Sequence, residues 1–578
     1  MDFKTQTYDL CRSYVHDNRD TLSLPVSERI LGWIRARDID RLATARDAFP
    51  SAYHSRELLR VLMQIEAFFK KNAAFAEPDR TRHAALDSFD RAESMCRRTN
   101  RRLDFYYLHR DRLDPDMQLW MSRAEAYIDR VLGPYEVFIS GLPEMIRFTS
   151  GASALHRRRD SMPFMKLRKR IDCTPAAKPY INALVKYWGY DGLVKPREIL
   201  FNRLEVVPKN WKTSRTIACE PSGNIPLQLA FDGYIKGRLR QKTGIDLRYQ
   251  FRNQNLACQS SVDDSLSTID MSMASDTLSY NAVAWLLPTK WFRYLDDIRS
   301  PYYLREGVHT PYAKFSSMGN GATFGLETLI FAAACYAVGS TACSVYGDDI
   351  IVDKEHATAL LRFLRFLGFI PNTEKSYLHG PFKESCGGNF YAGVDITPFY
   401  LRDWDKRKTI LSHNVNGLVS VSTPGGRLWN VLKGLVSGWK LPLVPWNEDS
   451  MSGVFIDCHS AYSLGIITTK RKRAFRHTQT PHYRALKPSS RRLEVRDSRA
   501  LFLWYLNRYR SKGEIGHLFL SKDLFFGGRE SDPLSSSESS LVTIPGQKYV
   551  RKWVRWTPPA EGAPPHLYWW GEELIREI

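Results

Sequence analysis

Residues 344–353 read SVYGDDIIVD. Two adjacent aspartates, Asp348 and Asp349, interrupt a run that is β-branched or apolar on either side. The pattern predicts a hairpin, with SVY and IIV as its strands and the aspartates at its tip. Ordinary turn chemistry explains one Gly-Asp pair. It does not explain the second carboxylate, because neighbouring carboxylates repel unless a cation lies between them.

A second acidic site lies upstream in LSTIDMSMASDTLSYNAVAWLLP (266–288). This stretch should begin as a strand and end as a helix, with Leu278, Ala282, Trp285 and Leu286 as its apolar stripe and Pro288 as its stop. Asp270 then falls near the end of the strand, where a neighbouring hairpin could meet it. Three carboxylates from two strands form an oxygen ligand set suited to Mg²⁺ or Mn²⁺. Two such ions about 3.5–4 Å apart can activate an attacking oxygen and stabilise a leaving one. Asp276 has two readings: an acid at the N-cap or in the first turn of a helix, or an acceptor for a ribose hydroxyl.

Between the acidic sites runs SSMGNGATFGLETLIFAAACYAVG (316–339). Gly319 and Gly321 allow close backbone approach, and Ser317, Asn320 and Thr323 offer small hydrogen-bonding groups. The helix that follows is apolar almost all round and should be buried. Upstream, RLEVVPKNWKTSRTIACEP (203–221) sets Lys209, Lys212 and Arg215 three apart. They are either a solvated basic loop or a clamp for a triphosphate. Downstream, Lys375 follows a Pro-Asn turn and is either a surface lysine or a proton donor to pyrophosphate.

The whole chain fits a nucleic-acid partner. Its 578 residues exceed one hydrophobic core, and 83 Lys+Arg against 62 Asp+Glu give a net charge of +21, which attracts polyanions. About three to five domain-sized units are expected at this length. The nine cysteines are dispersed, without C-x-x-C pairs, as in a reduced cytosolic protein. The N-terminus shows no apolar secretory segment, and LIFAAACYAVG (329–339) is too short to span a bilayer. A soluble intracellular protein is expected. The first part of the chain reads as mainly helical, as in SRELLRVLMQIEAFFKK (55–71), and residues from about 200 to 400 read as α+β around an antiparallel sheet. Basic segments lie at 156–172 and 469–492, and RESDPLSSSESS (529–540) has loop composition. As a strand, KYVRKWVRW would align Tyr549, Arg551, Trp553 and Arg555, either to grip RNA or to pack on the protein.

The order of basic loop, acidic strand, Ser/Gly loop with buried helix, YGDD hairpin and lysine resembles the palm of RNA-dependent RNA polymerases. VPKNWKTSR, GIDLRYQ, IDMSMASD, SSMGNGATFGLE, YGDDII and PFKESCGGNFYAGVDITPFYLR resemble in particular the replicases of single-stranded, positive-sense RNA bacteriophages, the Q-beta and levivirus group. The likeness is strong from about 200 to 402, with an echo at FTSGASALH (148–156). It implies a right-hand fold: a mostly helical region with part of the fingers (1–200), fingers with the basic motif (201–265), an antiparallel palm (266–402), thumb and basic region (403–528) and a C-terminal segment (529–578).

By position, the resemblance makes Asp270, Asp348 and Asp349 the metal ligands and Lys375 a catalytic lysine. Lys209, Lys212 and Arg215 match the triphosphate-contacting motif, and Ser317, Gly319 and Asn320 match the loop that senses sugar and template. It implies two Mg²⁺ ions (Mn²⁺ possible), primer-independent synthesis from nucleoside triphosphates on an RNA template, and the cytoplasm of an infected bacterium. It also implies host partners: elongation factors Tu and Ts, the large RNA-binding ribosomal protein and an RNA chaperone. Departures are DMSMASD for the family's D-L-S-x-A-S-D and DLRYQ for D-L-N-D-Q; no role is assigned to Arg248 and Tyr249. Two rivals stay open. A reverse transcriptase usually carries Met or Ala at the position of Gly347 and a bulky aromatic after the first aspartate. A non-catalytic RNA-binding protein would not need the acidic set.

Overall fold

The computed structural model describes residues 2–149, 151–157, 166, 170–187, 194–471, 479–495, 540–555 and 563–577. Most of the basic segment at 156–172, part of that at 469–492, and residues 529–539 lie outside this set. The N-terminal part is helical, as its periodicity predicts. The helix Arg56–Phe69 starts where Ser55 accepts the Leu58 N–H, and from Leu59 to Phe69 it buries every position except Arg60. The helix Pro78–Leu108 opens on a proline, which lacks the N–H that a first turn leaves unbonded.

The central region combines helices with mixed sheets. An antiparallel sheet has the order Ile370–Pro371, Leu266–Ser272, Asp349–Asp353, Ser344–Tyr346. Here SVYGDDIIVD forms the expected hairpin, but Asp349 opens the second strand and only Gly347 and Asp348 turn. A second sheet orders Ser214–Cys219, Phe201–Pro208, Tyr302–Arg305 and Val308–Pro311, with one parallel pairing. The helix Thr323–Ala337 is buried along nearly its whole length. The stripe expected from Leu278 is buried too, although the helix itself spans Tyr280–Leu286 and Leu278 lies in extended backbone before it.

Two large cores organise the chain, and they do not follow the linear boundaries. One joins residues 103–148 and 171–194 to most of 227–369. The other joins residues 8–75 to Trp211, Phe382 and apolar side chains from 396 to Leu574. The first helices therefore share a core with segments beyond residue 400, because each of these amphipathic elements needs an apolar partner. Backbone and side-chain bonds fasten them: Gln64 both donates to Phe399 O and accepts from its N–H, and Leu401 N–H donates to Ala67 O.

Near the C-terminus, Gln479–Val495 and Ser540–Arg555 form a long antiparallel ribbon. Tyr483, Ala485 and Leu486 are buried, whereas Tyr549, Val550, Arg551 and Lys552 are all exposed. Tyr549 and Arg551, the described half of the aligned face, are thus open to solvent; the side chains of Trp553 and Arg555 lie outside the described set. Among the described residues no helix is long and apolar enough to cross a membrane.

The hairpin that carries the basic motif is anchored by Trp211, buried in the second core with Nε1–H donating to Asp40 Oδ1 at 2.9 Å. Trp211→Ala should lower stability by about 3–5 kcal/mol, read as a reduced urea midpoint by tryptophan-independent circular dichroism.

Candidate active site

The strand Leu266–Ser272 pairs antiparallel with Asp349–Asp353 in a register that sets Asp270 opposite Asp349. Asp348 sits beside them in the two-residue turn. That turn has glycine at its first position with φ +61°, and a Cβ there would meet Phe324 Cε2 at 2.5 Å. Gly347 N–H donates to Thr328 Oγ1 at 3.1 Å, so the buried helix holds the turn directly. Its φ and the lack of space both require glycine.

Asp270 is fixed by neighbours on the short strand beside it and the turn that follows. Asn372 Nδ2 donates to its Oδ2 at 2.7 Å, its carbonyl accepts from Asn372 N–H at 2.9 Å, and its own N–H donates to Ser376 Oγ at 3.2 Å. Burial pushes the Asp270 carboxyl up to about 6, with Lys375 and Asn372 opposing and Asp348 adding to the rise. Burial also drives Asp349 up to about 7, with Asp348 and Asp270 adding repulsion. Burial works to lower the Lys375 ammonium, but Glu384 and the three aspartates outweigh it and raise it. Lys375 is therefore a cation held by an acidic cluster.

Lys209 belongs to the same field. Loss of solvent lowers it, Arg215 and Lys375 repel it, and Asp270 and Asp348 act the other way. Lys209, Lys212 and Arg215 surround the end of one hairpin, where Asn210 Oδ1 accepts the N–H groups of Lys212 and Thr213. All three residues reach solvent, as suits anion contact, although protein atoms crowd the Lys209 ammonium. The strand after this tip is pressed against the Ser/Gly loop: Ala218 N–H donates to Met318 O at 2.8 Å. Gly319 has φ +106°, and a Cβ there would meet Ala218 O at 2.4 Å. Ser317 O accepts from Asn320 N–H and Thr323 Oγ1, and Asn320 Oδ1 accepts Ala322 N–H. Ser317 and Asn320 are buried.

Asp276 is no N-cap. Met273 precedes the short helix Ala274–Thr277, and Asp276 Oδ1 instead accepts from the buried Lys314 Nζ at 2.8 Å. Sequence reasoning overlooked several neighbours. Glu384 influences Asp270, Asp349 and Lys375, and its only signal was its place within the quoted PFKESC. Glu327, buried under the site, accepts from Ser275 Oγ at 3.0 Å; burial, with Asp348 adding, pushes it up to about 8. Lys71 stands with its amine 3.7 Å from the centre of the Tyr400 ring, lowered to about 8 by burial and by Arg402 and Lys375. Nothing local marked Lys71. Arg248, left without a role, binds Asp246 with Nε at 2.9 Å and Nη2 at 2.5 Å, a local pair in an exposed turn.

The donor set suits a hard divalent cation: aspartate oxygens, with burial first and neighbouring negative charge second pushing up Asp270 and Asp349. It departs from the expected closed triad, since among the described residues no three His, Cys, Asp or Glu side chains gather to hold an ion. Repulsion between like charges accounts for the looser set. Mg²⁺ is commonly held by one or two carboxylates together with substrate phosphates, and Asp270 and Asp349, with Asp348 adjacent, fit that manner of binding.

A family model described as RNA replicase, beta-chain, matches residues 14–417. The RNA-directed RNA polymerase subunit beta of Escherichia virus Qbeta is 39% identical over 335 residues, covering 56% of this chain and 55% of that protein. The RNA-directed RNA polymerase beta chain of Escherichia phage MS2 is 37% identical over 312 residues, covering 51% of this chain and 56% of that protein. The matched region thus spans a little over half the length of these relatives. A solved structure of the BmCPV RNA-dependent RNA polymerase at elongation state overlaps with a TM-score of 0.38 at 12% identity, covering 64% of this chain and 36% of that one.

Gly319→Ala should force the Ser/Gly loop off the basic strand, exposing it to limited proteolysis near residue 318 while the remaining helix content by circular dichroism stays unchanged. A second expectation concerns pH in metal-free buffer. The folded carboxyl of Asp349 titrates near 7, above an unfolded value of about 3.9. The folded state therefore binds more protons between those values, and its stability falls as pH rises through that window. Asp349→Asn should melt higher than wild type at pH 8 and nearly equal to it at pH 4, and Mg²⁺ should stabilise wild type more.

Proposed function

The chain belongs to the RNA replicase beta-chain family, and on that premise we propose that it is the RNA-dependent RNA polymerase of a single-stranded RNA bacteriophage. The observation that carries the reading is the register setting Asp270 opposite Asp349, with Asp348 in the adjoining turn. The reaction is template-directed nucleotidyl transfer: a 3′-hydroxyl attacks the α-phosphate of a nucleoside triphosphate, and pyrophosphate leaves. Divalent cations held by Asp270, Asp348 and Asp349 would supply the Lewis acidity that lowers the hydroxyl's pKa and offsets charge on the phosphates.

The chain's own residues supply position and charge. Lys209, Lys212 and Arg215 bind the triphosphate from the hairpin tip. Lys375, kept protonated by its acidic neighbours, faces the negative charge that builds on the leaving pyrophosphate. The Ser317–Asn320 loop, fixed on the basic strand, bounds the sugar and template side. The antiparallel sheet is the palm of a right hand, with fingers and thumb from flanking elements. Initiation without a primer, and host partners such as the elongation factors, extend the same reading.

The defining experiment is synthesis by the purified chain on a defined RNA, with and without host lysate. Ribonucleotides should be incorporated in Mg²⁺, and EDTA should stop synthesis. Asp348→Asn should reduce the rate by roughly two to three orders of magnitude or more, with RNA binding retained in a filter assay. Intact function in that variant would favour a non-catalytic RNA-binding protein. Preferential use of deoxyribonucleotides would favour a reverse transcriptase.

A further inference from the structure

The long helix Pro78–Leu108 lies far upstream of the motif block, yet it reaches Asp276. Lys314 is the link. Its side chain is fully buried, an unfavourable place for an ammonium without charges and an aromatic face around it. Nζ donates to Asp276 Oδ1 at 2.8 Å, stands 3.9 Å from Glu93 Oε1 and lies 3.7 Å from the centre of the Phe89 ring. Glu93 and Phe89 both belong to the long helix.

That helix also pins the backbone around the lysine. Glu93 Oε2 accepts Ala313 N–H at 2.7 Å, and Asn100 Nδ2 donates to Ala313 O at 2.7 Å. Lys314 thus has little freedom, and Asp276 inherits the constraint. One Asp276 oxygen is taken by the ammonium; among the described residues no protein donor bonds the other. The side chain remains 19% exposed. Asp276 and Asp348 both act on Glu327, which puts the Asp276 carboxylate within the electrostatic reach of the acidic hairpin.

Resting on the polymerase reading, we propose that Lys314 is the positioning residue for sugar selection, holding Asp276 so that its open oxygen accepts the ribose 2′-hydroxyl of an incoming nucleoside triphosphate. A 2′-deoxynucleotide leaves that acceptor unpaired in a partly dehydrated site, which discriminates against it more strongly than a missing apolar contact would. Lys314 does not touch the nucleotide. It acts by keeping the Asp276 carboxylate aimed; without it, the side chain turns toward water.

The test compares kcat/KM for ATP and 2′-deoxy-ATP on a defined RNA template, using the full chain. Wild type should prefer ATP. Lys314→Met should reduce that preference by about 10- to 100-fold, mostly through a higher KM for ATP. Asp276→Asn should reduce it similarly, and the double variant should fall no further than either single one, because both substitutions remove the same Lys314–Asp276 contact. Phe89→Leu, which leaves every charge in place, should give a smaller drop and serves if Lys314→Met does not fold. A purely structural role predicts equal losses with both nucleotides; an unchanged preference in Lys314→Met, or in Phe89→Leu where it substitutes, would overturn the inference while the polymerase reading stands. If wild type synthesises nothing with either nucleotide, both fall.

Discussion

Two carboxylates facing each other across adjacent strands, with a third beside them, form an arrangement that a protein interior resists. Asp270 and Asp349 are both driven up by burial and by the field of Asp348, and Asp349 by that of Asp270 as well. What surrounds them limits that cost. Lys375 supplies the compensating charge, and Asn372 and Ser376 fix Asp270. The helix Thr323–Ala337 holds Gly347 through Thr328, so the turn cannot relax to separate the charges. A rigid acidic site that retains excess negative charge attracts cations, and that links the fold to the proposed chemistry.

The same logic explains why remote segments converge here. The Ser/Gly loop can approach Ala218 only because residue 319 has no side chain, and that approach joins the basic hairpin to the buried helix. The hairpin tip is steadied from the opposite side by Trp211 in the second core. The first helices, paired with segments beyond residue 400, bring Lys71 to Tyr400. The long helix Pro78–Leu108 brings Glu93 and Phe89 to Lys314. The motif block is therefore embedded in contacts from both ends of the chain.

Much of the site was legible in the sequence because its parts sit in short local patterns. The hairpin follows from β-branched runs around Gly-Asp, and the buried helix from an apolar surface all round. Asp276 was legible as an acid of interest but not in its pairing, since Lys314 lies 38 residues further on and nothing between them fixes that distance. Glu384, Glu327 and Lys71 were missed for a related reason: each is an ordinary charged residue until burial and neighbours change its energetics. Gly347 marked a difference from reverse transcriptases in the sequence; packing adds that Phe324 leaves no room for a side chain there.

By itself the sequence determined the local elements, the excess positive charge and the order of the motif residues, because strand alternation, helix periodicity and turn chemistry act over a few residues at a time. Only the tertiary structure decided which carboxylates meet in register, which cation stands under Asp276, and that the N-terminal helices share a core with segments beyond residue 400. Those outcomes depend on long-range packing and on the cost of burying charge. Neither can be evaluated until distant segments occupy the same space.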